Sequence, residues 1–340
     1  MDNTGLQQLQ EKLVRHFKNS DFTIHQLLGG ASSRRYYRID FTAASYFPTP
    51  TALLMRIPLE EQTTLRDYVN IDYYLRRYGV PTPRVYEIVE EEGWVFREYK
   101  SLPTVEEYLL QFPEGLESLV HEVLALLIEM QEKCPPEAHC PAFQRRFDYQ
   151  KYMYEFNFHV GEQLFTGYYR AAALVPKMQP IANEISRTLD KVNVPLFVHR
   201  DFQSSNLFYD RTTSVEKFSV IDFQDARFGT PIYDLVSFLW DSYLPIPDQL
   251  REEMLREYFT LLPRFGIRWN WEEYQRFIDY TVIQRKLHDA GAFAYNFRRF
   301  GNTRYLIFIE SAIRMVIERM NRYRQFTTIA GALTKLLKTG

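Results

Sequence analysis

Two short apolar runs that each stop on a carboxylate constrain this chain more than any other feature. The first is Phe197-Val198-His199-Arg200-Asp201-Phe202-Gln203-Ser204-Ser205-Asn206, and the second is Val220-Ile221-Asp222-Phe223-Gln224-Asp225. Each reads as a strand ending in a polar turn. Asp and Asn are common turn residues because they hydrogen-bond locally. Two successive strands that both end on a carboxylate argue instead for a site, with Asp201, Asn206 and Asp222 as its oxygen donors. A hard cation such as Mg²⁺ is held by one or two carboxylates, an amide oxygen and substrate phosphates. Asn206 and Asp222 are therefore the expected metal ligands. A separate carboxylate must accept the proton of an attacking hydroxyl.

The offsets His199, Asp201, Asn206 and then Asp222 resemble the H-R-D-x-x-x-x-N loop and metal-binding Asp of the protein-kinase fold. In that reading His199 is a buried imidazole that holds the loop, and Asp201 is the base. Asp234 lies near the start of the helix that follows Gly229-Thr230-Pro231. A carboxylate there is favoured by the helix dipole, and it is expected to accept backbone N–H bonds from the catalytic loop.

With 340 residues, 46% of them hydrophobic, the chain can bury a full core and is too long for a minimal domain. The pattern predicts an α+β, protein-kinase-like fold of two lobes. Residues 1–100 form an antiparallel-sheet N-lobe with a nucleotide-binding hairpin, and residues 101–340 a mainly helical C-lobe. A helix over Leu6 to Lys18 precedes strands at Phe22 to Leu28 and Arg35 to Phe41. Their tip, Gly29-Gly30-Ala31-Ser32-Ser33, is not G-x-G-x-x-G. Its small residues still permit close approach to phosphate oxygens, which makes Gly30, Ser32 and Ser33 candidate nucleotide contacts.

A third strand at Ala52 to Ile57 stands where protein kinases carry a phosphate-binding lysine. No lysine is present, and Arg56 is the candidate cation. A helix over Gln62 to Tyr78 and strands at Arg84 to Glu90 and Trp94 to Tyr99 follow, and backbone groups near Glu98 and Tyr99 are expected to face adenine. Beyond Thr104 helical periodicity dominates, at Leu116 to Glu132, Phe147 to Phe165, Val175 to Asp190 and several segments within Asp248 to Lys338.

The formal net charge is −2, from 41 basic and 43 acidic residues. No field of one sign points to nucleic acid or an anionic membrane, so the expected partner is small. No run approaches the roughly 18 apolar residues of a membrane span and no leader is apparent, which predicts a cytoplasmic protein. Cys134 and Cys140 lack the ligand spacing of a zinc site and read as a reduced pair.

Together His199-Arg200-Asp201 with Asn206, Ile221-Asp222-Phe223 and Tyr233-Asp234-Leu235 resemble the aminoglycoside phosphotransferase family of small-molecule kinases. The chain more closely resembles the bacterial anomeric kinases of cell-wall recycling, which act on N-acetylmuramate and N-acetylglucosamine. That likeness rests on Gly30-Ala31-Ser32-Ser33-Arg34-Arg35-Tyr36-Tyr37-Arg38, Asp222-Phe223-Gln224-Asp225-Ala226, Tyr233-Asp234-Leu235-Val236-Ser237, and Gln284-Arg285-Lys286-Leu287 with Gly291 and Phe293. These kinases also lack the strand lysine. The resemblance implies ATP and Mg²⁺ as cofactors and transfer of the γ-phosphate to the C1 hydroxyl of an N-acetyl amino sugar. Gln203, Gln224, Asp225 and Arg285 are the expected substrate contacts, with Arg285 pairing an acidic substituent. The cluster Arg285, Lys286, Arg298 and Arg299 favours a neutral or anionic sugar. An aminoglycoside or another amino alcohol is the alternative acceptor, and a nucleotide-binding, pseudokinase-like module the alternative of another class.

Overall fold

The computed structural model describes residues 3–27, 34–42, 45–213 and 215–339. Strands β1 (Phe22–Leu27), β2 (Arg35–Phe41), β3 (Thr51–Arg56), β4 (Val85–Val89) and β5 (Trp94–Glu98) form one antiparallel sheet in the order β1-β2-β3-β5-β4. The period of two along each strand divides the side chains between its faces. Tyr37, Ile39, Ala52, Leu54, Trp94 and Phe96 share the outer face, covered by Leu9, Leu13 and Phe17 of helix α1 (Asn3–Phe17). Met55 and Val95 point the other way and join Leu65, Tyr68, Ile71 and Leu75 of helix α2 (Gln62–Arg77). Gly93 closes the turn before β5 at φ 67°, where an added Cβ would stand 2.2 Å from the Ile57 carbonyl oxygen, so only glycine fits.

The sheet gives way to helices at Thr104, whose hydroxyl accepts the Glu107 N–H while the Glu107 carboxylate accepts the Thr104 N–H. That reciprocal cap opens α3 (Val105–Gln111). There follow α4 (Leu116–Lys133), α5 (Pro141–Gln144), α6 (Tyr149–Glu155), α7 (Val175–Lys191), α8 (Ile232–Leu239), α9 (Asp248–Leu261), α10 (Trp271–Phe300), α11 (Ile307–Met320) and α12 (Thr327–Thr339). Two short antiparallel pairs sit among them, β6 (Leu196–Val198) with β9 (Arg227–Gly229) and β7 (Leu207–Tyr209) with β8 (Phe218–Val220). The N-lobe is thus an antiparallel sheet and the C-lobe helical, and the cleft between them holds the ends of these short strands.

The expected element positions hold to within three residues, except in the aromatic stretch Phe147 to Phe165. There α6 passes into a π-helical run, Phe156–Tyr168, packed against α10. Gly291 of α10 sits so close to that run that a Cβ would fall 2.2 Å from the His159 carbonyl oxygen. One core joins the inner sheet face to α2, α4, α8 and α9, and a second lies behind α10 among α7, α11 and α12. Among the described residues no helix is long and apolar enough to cross a membrane.

Candidate active site

The loop after β6 is fixed from below by carboxylates. Asp234, fully buried in the first turn of α8, accepts the backbone N–H of His199 at 2.7 Å and of Arg200 at 2.8 Å. Burial pushes the Asp234 carboxyl upward and these two donors oppose the shift. Asp241, also buried, accepts the N–H of Ser204 at 2.7 Å and of Tyr243 at 2.9 Å. The His199 ring donates from Nε2 to the Ile221 carbonyl at 2.9 Å, because a carbonyl can only accept. Burial lowers its pKa against the fields of Asp201 and Asp222, so the ring is neutral and stitches one strand end to the other.

Two non-glycine residues of this site adopt left-handed backbone, Arg200 at φ 77° and Asp222 at φ 66°. Such strain costs about 1–3 kcal/mol per residue and persists only where neighbours over-determine it. Arg200 is pinned by the buried Glu155, 2.6 Å from its Nη2, and Asp222 by Gln224 Nε2 at 3.1 Å and Arg34 at 2.9 Å.

Asp201 faces the cleft with 26% of its side chain exposed. Burial would raise its pKa, but Arg285 and then Arg200 outweigh it and hold the carboxylate below its ordinary range. Arg285 Nη1 lies 2.9 Å from Asp201 Oδ1 and donates to the Arg200 carbonyl at 2.8 Å, while its Nε lies 3.0 Å from Asp289. Asp289 is held in turn by Lys286 at 2.7 Å. Arg285 is 2% exposed and paired with Asp201, and it also lines the cleft.

Asp201, Asn206, Asp222, Gln203, Gln224 and Asp225 all line one cleft of about 620 Å³, with Leu27, Leu53, Met55, Glu98 and Tyr99 on its sheet side. Asn206 Nδ2 donates to the Asp201 carbonyl at 2.8 Å, which leaves its Oδ1 as the acceptor for the cleft. An amide oxygen and the Asp222 carboxylate are a hard-oxygen pair suited to Mg²⁺ completed by phosphate oxygens and water. Among the described residues no His, Cys, Asp and Glu set of three or more could hold a metal by itself.

Residues 23–277 match the family described as phosphotransferase enzymes, three-quarters of the chain. The chain belongs to the phosphotransferase enzyme family. It is 24% identical to an N-acetylmuramate/N-acetylglucosamine kinase of Neisseria meningitidis serogroup B, covering 97% of this chain and 95% of that one. To the kinase of the same name from Pseudomonas putida it is 25% identical, over 81% of this chain and 77% of the relative. Among solved structures it is similar to the choline kinase LicA from Streptococcus pneumoniae, with TM-score 0.63, 13% identity and coverage of 93% and 99%. An ADP-bound aminoglycoside phosphotransferase aligns with TM-score 0.58 and 15% identity, covering 92% of this chain and 98% of that one. At such identities the structures establish the fold, and the family match with the kinase relatives establishes a small-molecule kinase.

In this phosphotransferase the rear half of the cleft is a stripe along α10. Arg285, His288, Asp289, Ala292, Phe293 and Asn296 recur at three- and four-residue spacing and face the cavity, and Tyr243, Arg304 and Tyr305 close its end. Phe293 and Tyr305 stack at 5.6 Å between centroids. The Oε1 of Gln224 and the Oδ1 of Asn296 are buried without a hydrogen-bond partner among the described residues, on side chains 4% exposed.

Three expected contacts, Gly30, Ser32 and Ser33, lie outside the described residues. Arg56 does not line the cleft. Strand alternation puts it on the outer face with Ala52 and Leu54, and the cleft-facing positions of β3 are the apolar Leu53 and Met55. Arg298 and Arg299 do not line the cleft either, and Lys286 is 0% exposed and paired, so of the four cations in that cluster Arg285 alone lines the cleft. Sequence reasoning missed Arg34, Glu155, Asp241, Asp289, Asn296 and Arg304. The α10 stripe was findable from its helical spacing. The others meet the site only through tertiary contacts.

Proposed function

We propose that this kinase transfers the γ-phosphoryl group of ATP to the anomeric hydroxyl of a 2-acetamido sugar, N-acetylmuramate or N-acetylglucosamine. The observation that carries the reading is Asp201 sharing one cleft with Asn206 and Asp222, in a chain similar over nearly its whole length to a kinase named for those sugars. In the transfer a bond forms from the acceptor oxygen to the γ-phosphorus. The bond from that phosphorus to the β,γ-bridging oxygen breaks, ADP leaves, and the hydroxyl proton passes to Asp201. Asn206 and Asp222 would hold Mg²⁺, which when bound neutralises the phosphate charge. Residues 1–100, with the backbone at Glu98 and Tyr99 and the segment containing Gly30, Ser32 and Ser33, serve the nucleotide, and residues 101–340 serve the acceptor. A cytoplasmic location, where ATP is at hand, belongs to the same reading.

The orphaned amide oxygens of Gln224 and Asn296 call for donors, because an unsatisfied buried acceptor costs about 1–3 kcal/mol. An acetamide N–H and sugar hydroxyls supply such donors, while the stacked Phe293 and Tyr305 offer an apolar wall. Gln203 and Asp225 flank the transfer point. With Arg285 committed to Asp201, the cation for a carboxylate on the sugar is Arg304, which forms no ion pair within 4.0 Å among the described residues and lies over the Tyr305 ring at 5.7 Å.

The test is phosphorus NMR of the product from each sugar with ATP. A sugar 1-phosphate is expected. A 6-phosphate, phosphorylation of aminoglycosides alone, or ATP binding without turnover on any acceptor would overturn the reading.

A further inference from the structure

Kinases of this fold place a cation beside the β- and γ-phosphates, yet β3 presents only Leu53 and Met55 to the cleft. The nucleotide half of the cleft is lined by the cations Arg34, Arg97 and Lys100. Lys100 is paired with Glu98 at 2.8 Å. Arg97 donates to the Tyr68 hydroxyl at 3.0 Å and packs over that ring, where sheet meets α2. Arg34 reaches the expected metal carboxylate itself, 2.9 Å from Asp222 Oδ1, and among the described residues it is the one cation within 4.0 Å of that group.

We propose that Arg34 does the work of the missing strand lysine, its guanidinium joining Asp222 to the outer phosphates of the bound nucleotide. The proposal rests on the nucleotide-dependent reading above. A planar fork of five N–H donors can hold a carboxylate oxygen and phosphate oxygens together, which one ammonium does less well. Arg34 is placed for this, with its side chain 12% exposed, where the cleft meets a smaller polar recess lined by Asp67, Arg145, Gln224 and Asp225. Burial opposes its charge, but Asp222, helped by Tyr36 and Asp225, more than restores it. In protein kinases the strand lysine pairs with a helix carboxylate. Here the α2 carboxylate nearest the recess, Asp67, is taken by Arg145 at 2.8 Å, and Arg34 is oriented by Asp222 at 2.9 Å. A cation arriving from the start of β2 also explains how β3 can be apolar on its cleft face.

The experiment compares the affinities of full-length wild type, Arg34→Met, Arg34→Lys and the off-cleft control Arg56→Met for Mg·ATP, Mg·ADP and AMP, by calorimetry. Arg34→Met should weaken ATP roughly 10- to 100-fold, the factor for a lost hydrogen bond to a charged group, and leave AMP unchanged. Arg34→Lys should recover part of the ATP affinity, and Arg56→Met should bind all three as wild type does. Equal weakening of ATP and AMP would mean that Arg34 merely holds the cleft together, and undiminished ATP binding by Arg34→Met would exclude a phosphate contact. Either result overturns the proposal. Should Arg34→Met fail to fold, Arg34→Lys decides by the same ratio of ATP to AMP affinity. Wild-type protein that binds no nucleotide would instead overturn the kinase reading on which the proposal stands.

Discussion

Arg285→Met removes the guanidinium between Asp201 and Asp289, and its consequences separate a residue that tunes the base from one that binds substrate. Breaking a buried ion pair by removing one partner costs about 3–5 kcal/mol, because the other charge is left uncompensated. Asp289 keeps Lys286 at 2.7 Å, and a 26% exposed Asp201 keeps some solvent, so the lower end, about 3 kcal/mol, is expected. In a chain of this size that lowers the melting temperature by about 4 °C. The sign with pH follows from the depressed pKa of Asp201. A carboxylate whose pKa is lowered by folding contributes stability above its unfolded value and loses it as pH falls through the folded one. The gap between wild type and variant should therefore be widest near neutrality and narrow toward acid. In catalysis, loss of the cation raises the Asp201 pKa, and the acid limb of the kcat/KM profile moves to higher pH by the same amount for N-acetylmuramate and N-acetylglucosamine. Thermal melts across pH, with steady-state kinetics on both sugars, provide the assay. A KM increase confined to the acidic sugar, with the acid limb in place, would refute this reasoning and return Arg285 to the substrate.

Asp201→Asn should lower turnover by about 10² to 10⁴ while calorimetry shows nucleotide affinity unchanged; an unaltered rate would remove Asp201 from the mechanism. Asp222→Ala should abolish the Mg²⁺-dependent part of ATP affinity as well as the rate, and wild-type Mg·ATP binding by this variant would contradict its assignment. Arg304→Ala should raise the KM for N-acetylmuramate about two- to fivefold, the size of an exposed ion pair, with N-acetylglucosamine unaffected; equal changes for both sugars would rule out a carboxylate contact. Gly291→Ala drives a Cβ to within 2.2 Å of backbone at His159 and should cost about 1–3 kcal/mol in urea unfolding. A wild-type midpoint would show that α10 and the π-helical run can separate.

The sequence by itself determined the order of elements, the sheet followed by helices, and the positions of Asp201, Asn206 and Asp222, because each is a local property. Period-two alternation marks the strands, period 3.6 marks the helices, and strand-terminal carboxylates fall at short, fixed offsets. It even indicated that Asp234 starts a helix. What it left open is set by contacts between distant segments. Arg285 and Arg34 are 251 positions apart in the chain, yet one holds Asp201 and the other Asp222, and neither spacing nor periodicity reports such a meeting. The charge cluster read from Arg285, Lys286, Arg298 and Arg299 dissolved for the same reason. Successive residues on a helix point about 100° apart, so α10 buries the first two in ion pairs and turns the last two away from the cleft. Arg56 lies off the cleft by the simpler parity of its strand. Tertiary structure decided which charges are spent inside the protein and which remain for a substrate, since that depends on which carboxylates the fold brings within about 3 Å of each cation, where charge-assisted bonds form.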